Sequence, residues 1–322
     1  MDEALGASGL SVPSLKPRAL RPGDLVGVAA PAGPVEEEAL HRGVTELETL
    51  GFAVRVPDGV LDRHHFSAGR REARTAQLRG LWANPEVAAI VCARGGAGAG
   101  WLLNALDPGL LRTHVKPIVG YSDITWVHLV LARLGMTSLH GPMVARELAE
   151  GETAYDRESL WHALTGEGDP YATAPDELHP LRVGEAQGVL RGGCLSILAS
   201  AAGTPWELRT GGEPTLLFLE DVDEPAYRID RMLLQLRESG ALDGVRGIVF
   251  GEMTGCTPGA DTDFALEEVL LEALDGLDVP VAFGLSSGHT SRRNVTLPLG
   301  VAARLSCTVS EARFEVLEVP VS

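Results

Sequence analysis

Residues 116–135, KPIVGYSDITWVHLVLARLG, read as a short buried strand, a Gly-x-Ser turn and then a helix. At a strand-to-helix elbow a serine oxygen projects from the sheet edge, and the following backbone N–H groups face the place where negative charge develops. Ser122 is therefore a candidate nucleophile. A second reading competes with it, in which Gly120 ends the strand and Ser122 caps the helix starting near Asp123. Ile124 stands where G-x-S-x-G has its second glycine, so the tripeptide alone does not decide between them.

The same alternation extends in both directions. LVGVAAP reads as a first strand, and after Gly33 an amphipathic helix places Val35, Leu40, Val44 and Leu47 at helical spacing. FAVRVP, VAAIVCAR and TSLHGP read as further strands, and 67–83 and 124–134 as helices. Apolar β-branched strands separated by helices predict a mostly parallel sheet covered on both faces, with ligands at the strand C-terminal ends. The polar, Pro- and Gly-rich stretch 166–187 reads as a linker between a domain at 20–165 and a second at 188–322. The second carries GVLRGG, CLSILASAA, TLLFLED, a helix over 225–239, GIVFGE, a helix near 263–274 and PVAFGL, and its last thirty residues read as a closing β-meander.

Composition narrows the partners. The 322 residues include 44 acidic and 27 basic side chains, a net charge of −17, which repels a phosphate backbone. The densest basic run, RHHFSAGRREARTAQLRG at 63–80, is interrupted by acids and reads as one solvated helix face. Cys92, Cys194, Cys256 and Cys307 lack C-x-x-C spacing, as expected of free thiols in a reduced compartment. Residues 1–19 read as a loose tail without the basic and apolar regions of a signal peptide, and no apolar run reaches a membrane span. A cytoplasmic protein that binds neither nucleic acid nor membrane is the expectation.

Three further places could carry chemistry. ARGGAGAG at 93–100 follows a strand, but its glycines are spaced G-x-G-x-G rather than as a dinucleotide fingerprint. Its bare backbone N–H groups could serve an oxyanion instead, or the glycines could simply permit a tight turn. In LFLEDVDEPAYRIDRMLLQL, Asp221, Asp223 and Glu224 fit helix capping, whereas Glu220 directly abuts an apolar strand and needs a buried partner such as a histidine N–H. His289, in the loop GLSSGHTSRRN, follows a strand. Ser122, Glu220 and His289 thus give the chain order Ser, acid, His found in several triad hydrolases. With no H-E-x-x-H, a zinc hydrolase is disfavoured.

Seven blocks in order, RPGDLVGVAAPAG, RGGAGAGWLL, KPIVGYSDIT, HGPM, LRGGCLSILASAAGTPWE, LEDVDEPAYRIDRMLLQL and GHTSRRNVTLPLG, resemble the serine LD-carboxypeptidases, a family that includes murein tetrapeptide carboxypeptidase and the microcin C immunity proteins. The resemblance spans about residues 20–305. It implies an α/β fold: a flavodoxin-like, class I amidotransferase-like N-terminal domain and a smaller C-terminal α/β domain, in a homodimer. It further implies Ser122 as nucleophile, Glu220 as acid, His289 as base, and an oxyanion hole from Gly95 or Gly96 and Asp123, with no metal and no cofactor. Arg94 and Cys194 are the candidate substrate contacts. Ala97 replaces the family's usual tyrosine and Cys194 its usual asparagine, and a thiol is a poor substitute for an amide. The implied activity is hydrolysis of an L,D-amide in a murein tetrapeptide, with cleavage of an aminoacyl-nucleotide as the alternative; apart from the resemblance, the glycine loop leaves a non-catalytic nucleotide-binding module as a more remote reading.

Overall fold

A computed structural model describes residues 14–168, 178–259 and 263–322. Among these, the strands are β1 (Leu25–Ala29), β2 (Ala53–Arg55), β3 (Val87–Cys92), β4 (Ile118–Val119), β5 (Ser138–His140), β6 (His179–Arg182), β7 (Gly184–Cys194), β8 (Thr215–Glu220), β9 (Val245–Gly251), β10 (Val281–Leu285), β11 (Leu297–Leu299), β12 (Ala302–Cys307) and β13 (Ala312–Val316). They form two sheets, ordered β11-β5-β4-β3-β1-β2 and β13-β12-β7-β8-β9-β10-β6.

In the first sheet β1 to β5 run parallel, as the alternating pattern predicts. β3 is buried at every position, which explains its unbroken apolar run: helices cover both of its faces. In the second sheet β7, β8, β9 and β10 are parallel, flanked by antiparallel β12, β13 and β6.

Three expectations change. The stretch expected to link two domains supplies β6, antiparallel to β10, and the start of β7, so 179–187 belongs to the second sheet; 169–177 lies outside the described residues. Sparse periodicity concealed it because β6 is an edge strand with no fully buried face. The closing meander is also split. β12 and β13 pair as expected, but β11 crosses to the first sheet and pairs antiparallel with β5. Finally, the part of the expected tail within the described residues is held in place: Leu15 N–H donates to Gly135 O, and Ser322 N–H donates to Pro17 O.

The two sheets meet through the helix Thr125–Arg133, which begins where the Ser122 turn ends. Gly193, at φ 137°, leaves room for Thr125, whose Oγ1 would lie 2.7 Å from a β-carbon at that position. Thr125 Oγ1 then accepts a hydrogen bond from Cys194 N–H at 3.1 Å. Cys194 is in register with Glu220, so the serine turn of one sheet is fastened to the acidic strand end of the other.

Candidate active site

Ser122 opens a short 3₁₀ turn, Ser122–Ile124, with φ at +62°. A left-handed conformation costs a non-glycine residue on the order of 1–2 kcal/mol, strain typical of a nucleophile elbow. The capping alternative does not hold. Neither the turn nor the helix Thr125–Arg133 has a side-chain cap hydrogen bond, so the Ser122 hydroxyl is not used in capping. The glycine loop lies directly against it: a β-carbon added at Gly95 would sit 2.8 Å from Ser122 Cβ and 2.9 Å from its Oγ. Only glycine lets that backbone approach the serine oxygen so closely.

The loop is pinned from two sides. Asp123, buried, accepts Ala99 N–H at 2.8 Å, and burial pushes its carboxyl above the usual range despite that bond. Arg74, in the helix Arg71–Ala83, is buried rather than on a solvated face, and its guanidinium donates to the carbonyls of Gly69, Gly98 and Pro31. After the loop comes a 3₁₀ helix, Ala99–Ala105, not the α-helix whose N-terminus a dinucleotide fold aims at pyrophosphate.

Glu220 ends β8 with no exposed surface. Its Oε2 accepts two hydrogen bonds from His289, one from the ring Nδ1 at 2.7 Å and one from the backbone N–H at 2.9 Å. Gly251 and Gly288 clear the space, since a β-carbon at either would come within 2.8 Å of the Glu220 side chain. The loop bearing His289 is fixed by its neighbours. Asn294 accepts Gly288 N–H and donates back to Gly288 O, while Glu252 accepts from Thr290, Ser291 and Arg292. Across from it, the His289 ring meets Tyr121, the residue before Ser122, edge-on at 4.9 Å between centroids. Tyr121 OH donates to Glu147 at 2.6 Å.

Charge follows geometry here. Burial pushes the Glu220 carboxyl upward, but His289 and His140 beside it outweigh burial and hold it well below the usual carboxylate range. For His289 burial favours the neutral ring, and Glu220, helped by Asp221 and Glu147, overrides it and raises the imidazole above its ordinary value. The tautomer with Nδ1–H on Glu220 leaves Nε2 as the basic nitrogen.

The remaining candidates sit less centrally. Arg94 is exposed and donates to Pro34 O at 3.0 Å. Cys194 is buried, its thiol 3.3 Å from Ser196 Oγ and 3.7 Å from Asp221 Oδ1. Asp221 does not cap the helix Ala226–Glu238, which follows Pro225 with no side-chain cap; it accepts Ser196 N–H at 2.7 Å, at the start of the helix Leu195–Ala201. Glu147, Glu252 and His140 went unremarked in the sequence as site residues. Glu252 directly follows an apolar strand, the same signal that singled out Glu220. All four cysteines are free and buried. Among the described residues no cluster of His, Cys, Asp or Glu could hold a metal ion, and no helix is long and apolar enough to cross a membrane.

A strained serine under a glycine loop, and a histidine gripped by a buried carboxylate and packed on the residue before that serine, on a two-sheet α/β frame, fit the class of serine-type hydrolases. Residues 26–141 match the LD-carboxypeptidase N-terminal domain and 187–305 the LD-carboxypeptidase C-terminal domain. A probable murein peptide carboxypeptidase of Bacillus subtilis is 36% identical over 305 residues, covering 93% of this chain and 94% of that protein. Muramoyltetrapeptide carboxypeptidase from Oxalobacter formigenes superposes with a TM-score of 0.81 at 30% identity, over 92% of this chain and 100% of the other. The microcin C7 self-immunity protein MccF, in complex with aspartyl sulfamoyl adenosine, superposes with a TM-score of 0.85 at 25% identity, over 96% and 100%. The chain belongs to the LD-carboxypeptidase family.

Proposed function

We propose that this protein is a metal-independent serine carboxypeptidase that removes the terminal D-alanine from a murein tetrapeptide in the cytoplasm, with Ser122, His289 and Glu220 as its catalytic groups. The observation that carries this reading is the double grip of Glu220 Oε2 on His289, which fixes the ring and its tautomer. His289 Nε2 takes the proton from Ser122 Oγ as that oxygen attacks the scissile carbonyl. Negative charge then develops on the carbonyl oxygen, where the backbone N–H groups of Gly95 or Gly96 and of Asp123 receive it. The imidazolium, stabilised by Glu220, gives its proton to the leaving nitrogen of the D-amino acid. Water, deprotonated by His289 Nε2, then attacks the acyl-enzyme carbonyl, and the imidazolium returns its proton to Ser122 Oγ as the ester bond breaks.

Arg94, exposed beside the glycine loop, is suited to the substrate's terminal carboxylate once its bond to Pro34 O is exchanged. A homodimer is the assembly the family resemblance suggests. The likeness to MccF supports a second reading, cleavage of an aminoacyl-nucleotide amide. Incubation with an L,D-tetrapeptide and, separately, with an aminoacyl sulfamoyl adenosine, with product mass as readout, separates the two. Release of D-alanine from the peptide is expected; turnover of the nucleotide conjugate alone would replace the first reading with the second.

A further inference from the structure

Only one oxygen of Glu220 faces His289. The other, Oε1, lies 3.6 Å from Nε2 of His140, and both side chains are wholly buried. Neither atom has a hydrogen-bond partner among the described residues. An ionised oxygen left without a donor in the interior is costly, on the order of 1–3 kcal/mol or more, so each of these atoms is the remedy for the other.

His140 is held so that it can serve. It ends β5, where the backbone is tied to β11 on one side and β4 on the other. Its Nδ1 lies 3.3 Å from Ser287 Oγ, two residues from His289 in sequence, and Ser287 Oγ also lies 2.8 Å from Val295 O; with hydrogen on Nε2, it is Nδ1 that accepts the one proton of that hydroxyl. The ring packs edge-on against Phe218 of β8, 5.2 Å between centroids. A nitrogen facing a carboxylate must carry hydrogen, because two lone pairs at this distance repel. At 3.6 Å the two atoms stand just beyond hydrogen-bond length, and a shift of about half an ångström closes the gap.

We propose that His140 is a positioning residue for the hydrolysis: it donates Nε2–H to Glu220 Oε1, so that the carboxylate is clasped between two imidazoles and its other oxygen is aimed at His289. The proposal rests on reading Ser122, His289 and Glu220 as the catalytic groups. The other titratable groups around the pair are Asp221, Glu147, Cys194, Tyr121 and His128, and none of them donates to Oε1. A donor on Oε1 draws carboxylate charge away from His289. Removing it leaves that charge to the His289 ring, which then binds its proton more tightly and becomes an available base only at higher pH.

The test compares His140→Phe, which keeps ring volume and loses both nitrogens, with His140→Gln, which returns an amide N–H. On a tetrapeptide substrate His140→Phe should lower kcat on the order of 10- to 100-fold with KM within about twofold, and move the acid limb of kcat/KM to higher pH. His140→Gln should recover most of kcat and the parent's acid limb. In a Glu220→Gln background, His140→Phe should cost nothing further. An unshifted acid limb in His140→Phe, or an equal loss in both backgrounds, overturns the proposal. If His140→Phe does not fold, imidazole NMR of the native protein decides: an exchange-protected His140 Nε2–H resonance that moves in Glu220→Gln is expected, and its absence overturns the proposal. Full activity in Glu220→Gln would overturn the triad reading and this proposal with it. An impaired Glu220→Gln beside an unaltered His140→Phe overturns this proposal alone.

Discussion

Glu220 Oε2 binds His289 twice, through Nδ1 and through the backbone N–H. The two bonds do different work. The backbone bond places the loop whatever the ring's protonation state, and the ring bond sets the tautomer.

That division ranks the variants of the proposed catalytic groups. Ser122→Ala and His289→Ala should each lower kcat by about 10⁴-fold or more, with thermal stability near the parent's for Ser122→Ala. Glu220→Gln keeps an oxygen for the backbone N–H and should cost less, on the order of 10²- to 10⁴-fold. Steady-state kinetics with a tetrapeptide checks the order, and a Ser122→Ala enzyme with more than a few per cent of parental turnover would remove the nucleophile.

Stability and activity should peak at different pH. Glu220 is depressed in the folded state, so its contribution is complete above its unfolded value of 4.5 and is lost as pH falls through the folded value. His289 is raised, so its contribution is complete below its unfolded value of 6.5 and is lost as pH rises through the folded value. The pair therefore stabilises most between 4.5 and 6.5, where His289 is protonated and idle as a base. Denaturant midpoints of the parent and His289→Ala should differ most in that window, while kcat/KM climbs above it. Coincident optima would contradict the assignment.

Gly95 offers a cleaner probe than the catalytic groups. Its φ is not left-handed, so the backbone tolerates alanine, yet the added methyl meets Ser122 Cβ and Oγ at 2.8 and 2.9 Å. Gly95→Ala should lower kcat/KM on the order of 10²-fold or more with the melting temperature shifted by only a few degrees. A fully active Gly95→Ala enzyme would mean that the loop does not approach the serine during turnover.

Cys194→Asn tests the departure from the family pattern. The thiol points at Ser196 Oγ and Asp221 Oδ1, so an amide there finds acceptors inside the protein. The ratio of kcat/KM between peptide and nucleotide substrates should stay within about twofold, the effect appearing in the melt instead. A tenfold change in that ratio would place residue 194 against the ligand.

How far the sequence discloses the site depends on distance along the chain. Strand identity, and the need of Glu220 for an imidazole partner, follow from local pattern: an unbroken apolar run ending in a carboxylate demands a buried donor. Partners chosen across the fold leave no such trace. Asp221 reads as a cap for the helix that follows and serves another one, Arg74 reads as one of a solvated basic series and is buried against the glycine loop, and β11 reads as part of a local meander yet pairs with a strand more than 150 residues earlier. His140 is invisible for the same reason, since its meaning lies in an oxygen 80 residues away in the chain.

The crossing of β11 has a consequence for the life of the nascent chain. Until residues 297–299 emerge from the ribosome, β5 is a bare sheet edge, its backbone groups offered to any other strand in reach. The first half of the molecule thus waits, open to mispairing, for about half of synthesis, and the loop that carries His289 is delivered just ahead of the strand that seals it.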